Sequence, residues 1–144
     1  MIACEIAKIR KLDTLYLVGS AIHHDEVSRL LTVLHPLIDL APIEWLRFSA
    51  GKIPADTAQM FASVETSFVR CMSKAIFQWE GLGAVPVRLV RIHGRRDLVI
   101  PPPAHADLLL DDGGHLISMT HARRCTEFIE ANQSSQATAA PLSS

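Results

Sequence analysis

A short and almost uninterrupted apolar segment, residues 14–20, restricts the fold of this chain more than any other feature. A continuous apolar run of this length is typical of a strand that is buried on both faces of a parallel sheet. Two further strand-like segments follow at residues 87–93 and 106–111. The sequence therefore predicts a parallel sheet of about three strands.

Helical patterns separate these strands. Apolar residues recur at near-helical spacing over residues 1–11, and a last helix is predicted from about 120 to 131. Residues 24–80 are mainly helical by pattern, with separate helices expected at 25–34 and 60–79 between proline breaks. Alternation of strands and helices predicts an α/β fold in which helices flank the sheet.

Composition indicates one globular domain. The 144 residues are 49% hydrophobic and 20% charged, which is enough apolar material for a packed core. We assign residues 1–132 to this domain, with a helical insertion at about 24–80. Residues 133–144 are rich in Ser, Ala and Thr and are predicted to be a disordered tail.

Charge and cysteine content narrow the classes of partner. A formal net charge of −1 gives no reason to expect nucleic acid. No apolar run approaches the roughly 18 residues of a membrane span, and no basic region precedes an apolar segment at the start, so we expect neither a membrane anchor nor an export signal. Three widely separated cysteines form no disulfide framework, which favours a reducing, cytoplasmic setting.

Two polar loops follow the second and third predicted strands. Asp97 lies in the first loop and His115 in the second. Because the carboxyl ends of parallel strands share one edge of a sheet, these side chains are expected within hydrogen-bonding distance. A carboxylate that accepts the imidazole Nδ1 proton fixes the tautomer and stabilises the imidazolium formed in general-base catalysis. Asp97 and His115 are therefore the candidate catalytic residues.

The residues around this pair resemble a known family. Residues 93–101 (His-Gly-Arg-Arg-Asp-Leu-Val-Ile-Pro), the Gly-Gly-His of 113–115 and the helical segment 125–129 are similar to the acid loop, histidine loop and final helix of the α/β-hydrolase superfamily. The resemblance extends over residues 1–132. It implies that Asp97 is the triad acid, that His115 is the triad base, and that residues 24–80 are a cap-like insertion.

The first residues of the chain indicate which part of the family's fold is absent. Residues 1–7 resemble the helix that follows the nucleophile elbow of that family, and residues 15–21 resemble its next strand. The Gly-x-Ser-x-Gly elbow that should precede this helix is absent, and Ser20 lacks the second glycine of such an elbow. We therefore expect the chain to be inactive alone, either as a truncated record or as a true short protein. The bare edge of strand 14–20 is expected to pair with a second copy or another polypeptide.

No cofactor or metal is expected. Gly81-x-Gly83 lacks the third glycine and the following helix of a dinucleotide loop. The histidines at 23, 24, 93, 105, 115 and 121 include no pair at helical i, i+4 spacing with an acidic partner, as zinc peptidases require.

Three functions remain open. The first is a serine hydrolase that acts on a small-molecule ester, thioester or amide once the nucleophile is supplied. The second is a non-catalytic hydrolase-fold remnant that binds or assembles. The third is an unrelated small-molecule-binding module.

Overall fold

The computed structural model describes residues 1–28, 59 and 63–139. Its helices are α1 (Ile2–Ile9), α2 (Thr66–Phe77), α3 (Ile117–Thr120) and α4 (Ala122–Ala139), with a short 3-10 turn at His24–Glu26. Its strands are β1 (Thr14–Val18), β2 (Arg88–Gly94) and β3 (Leu108–Leu110). Most of the predicted helical insertion, including residues 29–58, lies outside the described residues.

The three strands form one parallel sheet in the order β1-β2-β3. Tyr16 lies opposite Val90, and His93 lies opposite Leu109. The α/β class with a small parallel sheet and flanking helices is thereby confirmed. β3 begins later than predicted, because the Asp107 carboxylate accepts the Arg91 N–H at 2.7 Å in place of a main-chain carbonyl.

Alternate residues of β1 face opposite sides of the sheet. Leu15 and Leu17 pack with Cys4 and Ala7 of α1 and with Leu82. On the other side, Val18 packs against a cluster of fully or almost fully buried residues: Ile92, Leu110, Ile117 and Cys125. Burial of each large aliphatic side chain stabilises the fold by roughly 1.5–3 kcal/mol. Helices thus cover both faces of the sheet.

Helix α1 buries its small residues and exposes its large ones. Cys4 and Ala7 face the sheet, whereas Ile2, Ile6 and Ile9 are 77%, 45% and 79% exposed. The helix is shorter than the predicted 1–11 because Arg10 adopts an extended conformation that leads into β1. An isoleucine stripe, defined here as Ile2, Ile6 and Ile9, therefore remains on the surface.

Three helical segments differ from those predicted. Residues 24–26 form only a 3-10 turn at the start of the helix predicted at 25–34, and α2 begins at Thr66 rather than near residue 60. Helix α4 continues to Ala139 instead of ending near Ala131, so residues 133–139 of the predicted disordered tail are helical. The hydroxyls of Ser134 and Ser135 donate to the carbonyls of Glu130 and Ala131, each four residues earlier. Both polar side chains are thus hydrogen-bonded within the helix.

Within the part of the chain that the structure describes, no helix is both long and apolar enough to cross a membrane.

Candidate active site

The acid loop begins where β2 ends. A turn brings the Asp97 N–H to 3.3 Å from the Gly94 carbonyl, and Asp97 is only 3% exposed. Its Oδ1 accepts the N–H groups of Val99 and Ile100, both at 2.9 Å. These hydrogen bonds offset the free-energy cost of removing a carboxylate from water, and they fix its orientation.

The second oxygen of this carboxylate contacts the predicted histidine. Nδ1 of His115 lies 2.9 Å from Oδ2 of Asp97. Since an ionised carboxylate only accepts, Nδ1 carries a proton, and Nε2 is the ring nitrogen that can act as a base. No group among the residues 1–28, 59 and 63–139 bonds to Nε2, and the His115 side chain is 24% exposed. The structure therefore brings together the two residues that the sequence predicted, with the basic nitrogen available to a third group.

Backbone packing at a glycine holds the two loops together. A Cβ at Gly94 would overlap the Gly113 carbonyl and lie 2.5 Å from the Gly114 oxygen. The Arg96 N–H donates to the same Gly113 carbonyl at 2.9 Å. A side chain at position 94 would push the histidine loop away, so glycine is required there to bring His115 within reach of Asp97.

A partly buried ion pair lies on the α1 side of the sheet. Arg91 of β2 is 7% exposed, and its guanidinium donates to both carboxylate oxygens of Glu26 at 2.8 Å. The Ile22 N–H also donates to Glu26 at 2.8 Å. Although burial raises the pKa of Glu26, the hydrogen bonds from Arg91 and Ile22 outweigh it and hold this pKa below its usual value. Glu26 is thus fixed as a carboxylate.

His93 extends this polar cluster towards the acid loop. The side chain is fully buried, and its Nε2 lies 3.3 Å from the Ser20 carbonyl, which also accepts from Arg91. Burial, and then the nearby Arg91 charge, lower the pKa of His93, so the imidazole is neutral at pH 7. Its Nε2 therefore donates to Ser20, and its Nδ1 has no partner among the groups that the structure describes.

The sequence analysis did not identify this cluster of Arg91, Glu26 and His93. Its one readable signal is the pair of polar residues at alternate positions, 91 and 93, in a strand whose neighbouring positions are apolar. Such a pair on one face of a central strand indicates a buried polar partner.

Ser20 follows β1, and Ser118 lies three residues after His115. The Ser20 hydroxyl donates to the Val18 carbonyl at 3.3 Å, so it is bonded to its own strand. Ser118 is exposed in α3. Neither forms a bond to His115 in the described part of the chain.

Comparisons with known proteins give no match: no family model, no curated protein and no solved structure is similar to this chain.

Proposed function

We propose that residues 1–132 form the C-terminal portion of an α/β-hydrolase-type domain whose ancestral activity is hydrolysis of a small-molecule ester, thioester or amide. The observation that supports this most strongly is the 2.9 Å bond between Nδ1 of His115 and the buried Asp97 carboxylate. Two backbone N–H groups occupy the other carboxylate oxygen. The acid is thus held in one orientation, with its remaining oxygen directed to the base.

In the proposed reaction a serine hydroxyl from outside residues 1–144 attacks the substrate carbonyl carbon. Nε2 of His115 takes the hydroxyl proton as this bond forms, and the Asp97 carboxylate stabilises the resulting imidazolium. The imidazolium then gives the proton to the leaving oxygen, sulfur or nitrogen as its bond to the carbonyl carbon breaks. Water then attacks the acyl-serine ester while Nε2 of His115 takes a proton from it. The ester bond breaks, the serine oxygen regains the proton, and the acid product leaves.

The missing nucleophile makes this chain alone inactive in our proposal. A partner chain, or a longer polypeptide that contains these residues, supplies the serine. The insertion at about 24–80 is proposed to cap the substrate. The free thiols at Cys4, Cys71 and Cys125 agree with a reducing, cytoplasmic setting.

A covalent probe tests the proposal. The coding region, extended through the DNA ahead of Met1, is expressed and treated with a fluorophosphonate, and the labelled residue is mapped by mass spectrometry. We expect label on a serine outside residues 1–144. We expect His115→Ala to slow labelling by about 10³-fold or more, because the serine loses its general base. His105→Ala, at an exposed histidine, is the matched control and should label at the wild-type rate.

Absence of a labelled serine, or a labelling rate indifferent to His115→Ala, would contradict an active hydrolase. Either result would favour the alternative function, a non-catalytic hydrolase-fold remnant that acts as a binding or assembly module. The exposed isoleucine stripe of α1 favours this second candidate. Its side chains, at i, i+4 and i+7, share one helix face, and an exposed apolar face is typical of a protein-binding surface. A second copy or a different polypeptide at the β1 edge is the proposed partner.

A further inference from the structure

We propose that His23, His24 and Asp25 bind a zinc ion. These residues follow β1 and surround the 3-10 turn at His24–Glu26. One ligand atom from each of them lies within 4.8 Å of the others. Two imidazole nitrogens and a carboxylate oxygen are a ligand set that zinc favours.

The distances in this group, which we call the His-His-Asp cluster, fit a zinc ion. Nδ1 of His23 lies 3.1 Å from Oδ2 of Asp25, and Nε2 of His24 lies 3.1 Å from Oδ1. Ligands placed about 2.0–2.1 Å from a tetrahedral zinc are about 3.3 Å from one another. Each separation is close to an edge of a zinc tetrahedron. Because the two separations end on different oxygens of Asp25, one of them becomes such an edge when the carboxylate binds through a single oxygen.

The tautomer of His24 is the one that a metal ligand needs. Its Nδ1 lies 2.8 Å from the Trp79 carbonyl oxygen. Because a carbonyl only accepts, this Nδ1 carries a proton, which leaves Nε2, the atom 3.1 Å from Oδ1 of Asp25, as the nitrogen that can bind a metal. Donation of the second ring N–H to a backbone carbonyl is the usual arrangement of a histidine that binds a metal.

Nδ1 of His23 lies beside the same carboxylate, and zinc binding at this nitrogen replaces its hydrogen bond from the Asp25 N–H. The Asp25 N–H donates to Nδ1 of His23 at 3.3 Å, so this nitrogen is the unprotonated one. The ring is held in place by close packing, since a Cβ at Gly81 would lie 2.5 Å from its Cδ2 atom. One nitrogen of each ring thus lies 3.1 Å from an oxygen of the Asp25 carboxylate.

The turn is anchored before any ion binds. Glu26 does not join the cluster, because Arg91 and the Ile22 N–H already occupy its oxygens. Beyond the turn, the Ser28 N–H donates to the Val99 carbonyl at 2.9 Å in the acid loop. The ligands are therefore preorganised, and three protein ligands leave a fourth tetrahedral position for water or a small ligand.

This site differs from the expectation of no metal. Zinc peptidases bind the metal through histidines on successive turns of a helix, whereas here consecutive residues converge around a 3-10 turn. The proposal is independent of hydrolase activity.

Metal titration tests the inference. Untagged full-length chain is stripped with EDTA, dialysed and titrated with Zn²⁺ against a chromophoric chelator. We expect one Zn²⁺ per chain and, with Co²⁺, the visible absorption of a four-coordinate site. His24→Ala and Asp25→Asn should each weaken Zn²⁺ binding at least about tenfold. His105→Ala should leave binding unchanged.

Failure of the wild-type chain to saturate with Zn²⁺ would overturn the proposal, as would wild-type affinity in both variants. Asp25→Asn decides the question if His24→Ala disturbs the turn, because the Asp25 side chain is 77% exposed and its amide has almost the same shape. Circular dichroism of each variant establishes that the fold is retained.

Discussion

At Asp97 one buried carboxylate has two tasks. Oδ1 closes the acid loop by accepting two backbone N–H groups, and Oδ2 orients His115. Because different oxygens perform these tasks, substitution can separate them. Asn retains an acceptor for the loop but places an N–H donor beside the imidazole.

Asp97→Asn should change the tautomer of His115 with little loss of stability. The amide donates to Nδ1, which moves the imidazole proton to Nε2 and blocks the base. Asp97→Ala removes the acceptor as well, leaves the Val99 and Ile100 N–H groups unsatisfied, and should cost roughly 2–4 kcal/mol of unfolding free energy. Imidazole ¹⁵N shifts and urea unfolding measure the two effects. Asp111→Asn, at an exposed surface ion pair, is the control, and an unchanged His115 tautomer in Asp97→Asn would contradict the assignment.

His93 should make stability depend on pH. Its pKa is lowered in the folded state, so on acidification the unfolded chain takes up this proton first. The folded protein should therefore lose stability as pH falls below about 6.5, and no His93 contribution to the pH slope is expected above that range. His93→Gln keeps a donor for Ser20 without titrating. Urea unfolding between about pH 7 and about pH 5 measures how steeply the unfolding free energy depends on pH. This dependence should be shallower for His93→Gln than for wild type or His105→Gln, and an identical dependence in all three would contradict the role of His93.

Strand β2 connects the features of the site. Its end supplies the acid loop, its α1-side face carries Arg91 and His93, and its last residue, Gly94, touches the histidine loop. The close contact at Gly94 is therefore the most sensitive point between the two loops.

Gly94→Ala should displace the histidine loop. Its Cβ meets backbone atoms that cannot rotate away, so we expect a loss of about 1–3 kcal/mol and a weaker bond between His115 and Asp97. Gly83→Ala provides the comparison: Gly83 has φ of +69° but no atom near its Cβ, so it should cost about 1–2 kcal/mol of strain without disturbing the pair. Chemical denaturation and the NMR signal of the His115 Nδ1 proton measure both. An intact Nδ1 signal in Gly94→Ala would contradict this account.

The sequence predicted what neighbouring residues determine. Apolar runs indicated the three strands, and the order of strand and loop placed Asp97 and His115 at one edge. The bond between Arg91 and Glu26 joins residues 65 apart, and that between His24 and Trp79 joins residues 55 apart. Periodicity carries no information about such long-range pairs, so the buried polar cluster and the His-His-Asp cluster became visible only in the fold.

Strand β1 lies at an edge of the sheet. It pairs with β2 on one side, and no other strand of the described residues joins it on the other. The isoleucine stripe lies on α1, which packs on this strand. A free strand edge and exposed aliphatic side chains both favour association.

We expect the wild-type chain to self-associate and the double variant Ile2→Lys/Ile9→Lys to shift towards monomer. Both side chains are more than three-quarters exposed, so their replacement should change unfolding free energy by only about 0.5 kcal/mol. Size-exclusion chromatography with light scattering, over a series of concentrations, gives the mass. Met119→Lys alters an exposed apolar residue of α3 and should behave as wild type. A wild-type chain that stays monomeric at every concentration would rule out this interface.

Asp97 and His115 are only 18 positions apart, and the strand, turn and helix that hold them follow one another without interruption from β2 to α4. One junction ahead of β2 is therefore enough to carry both side chains, together with the turn and the helix that hold them, into another parallel sheet.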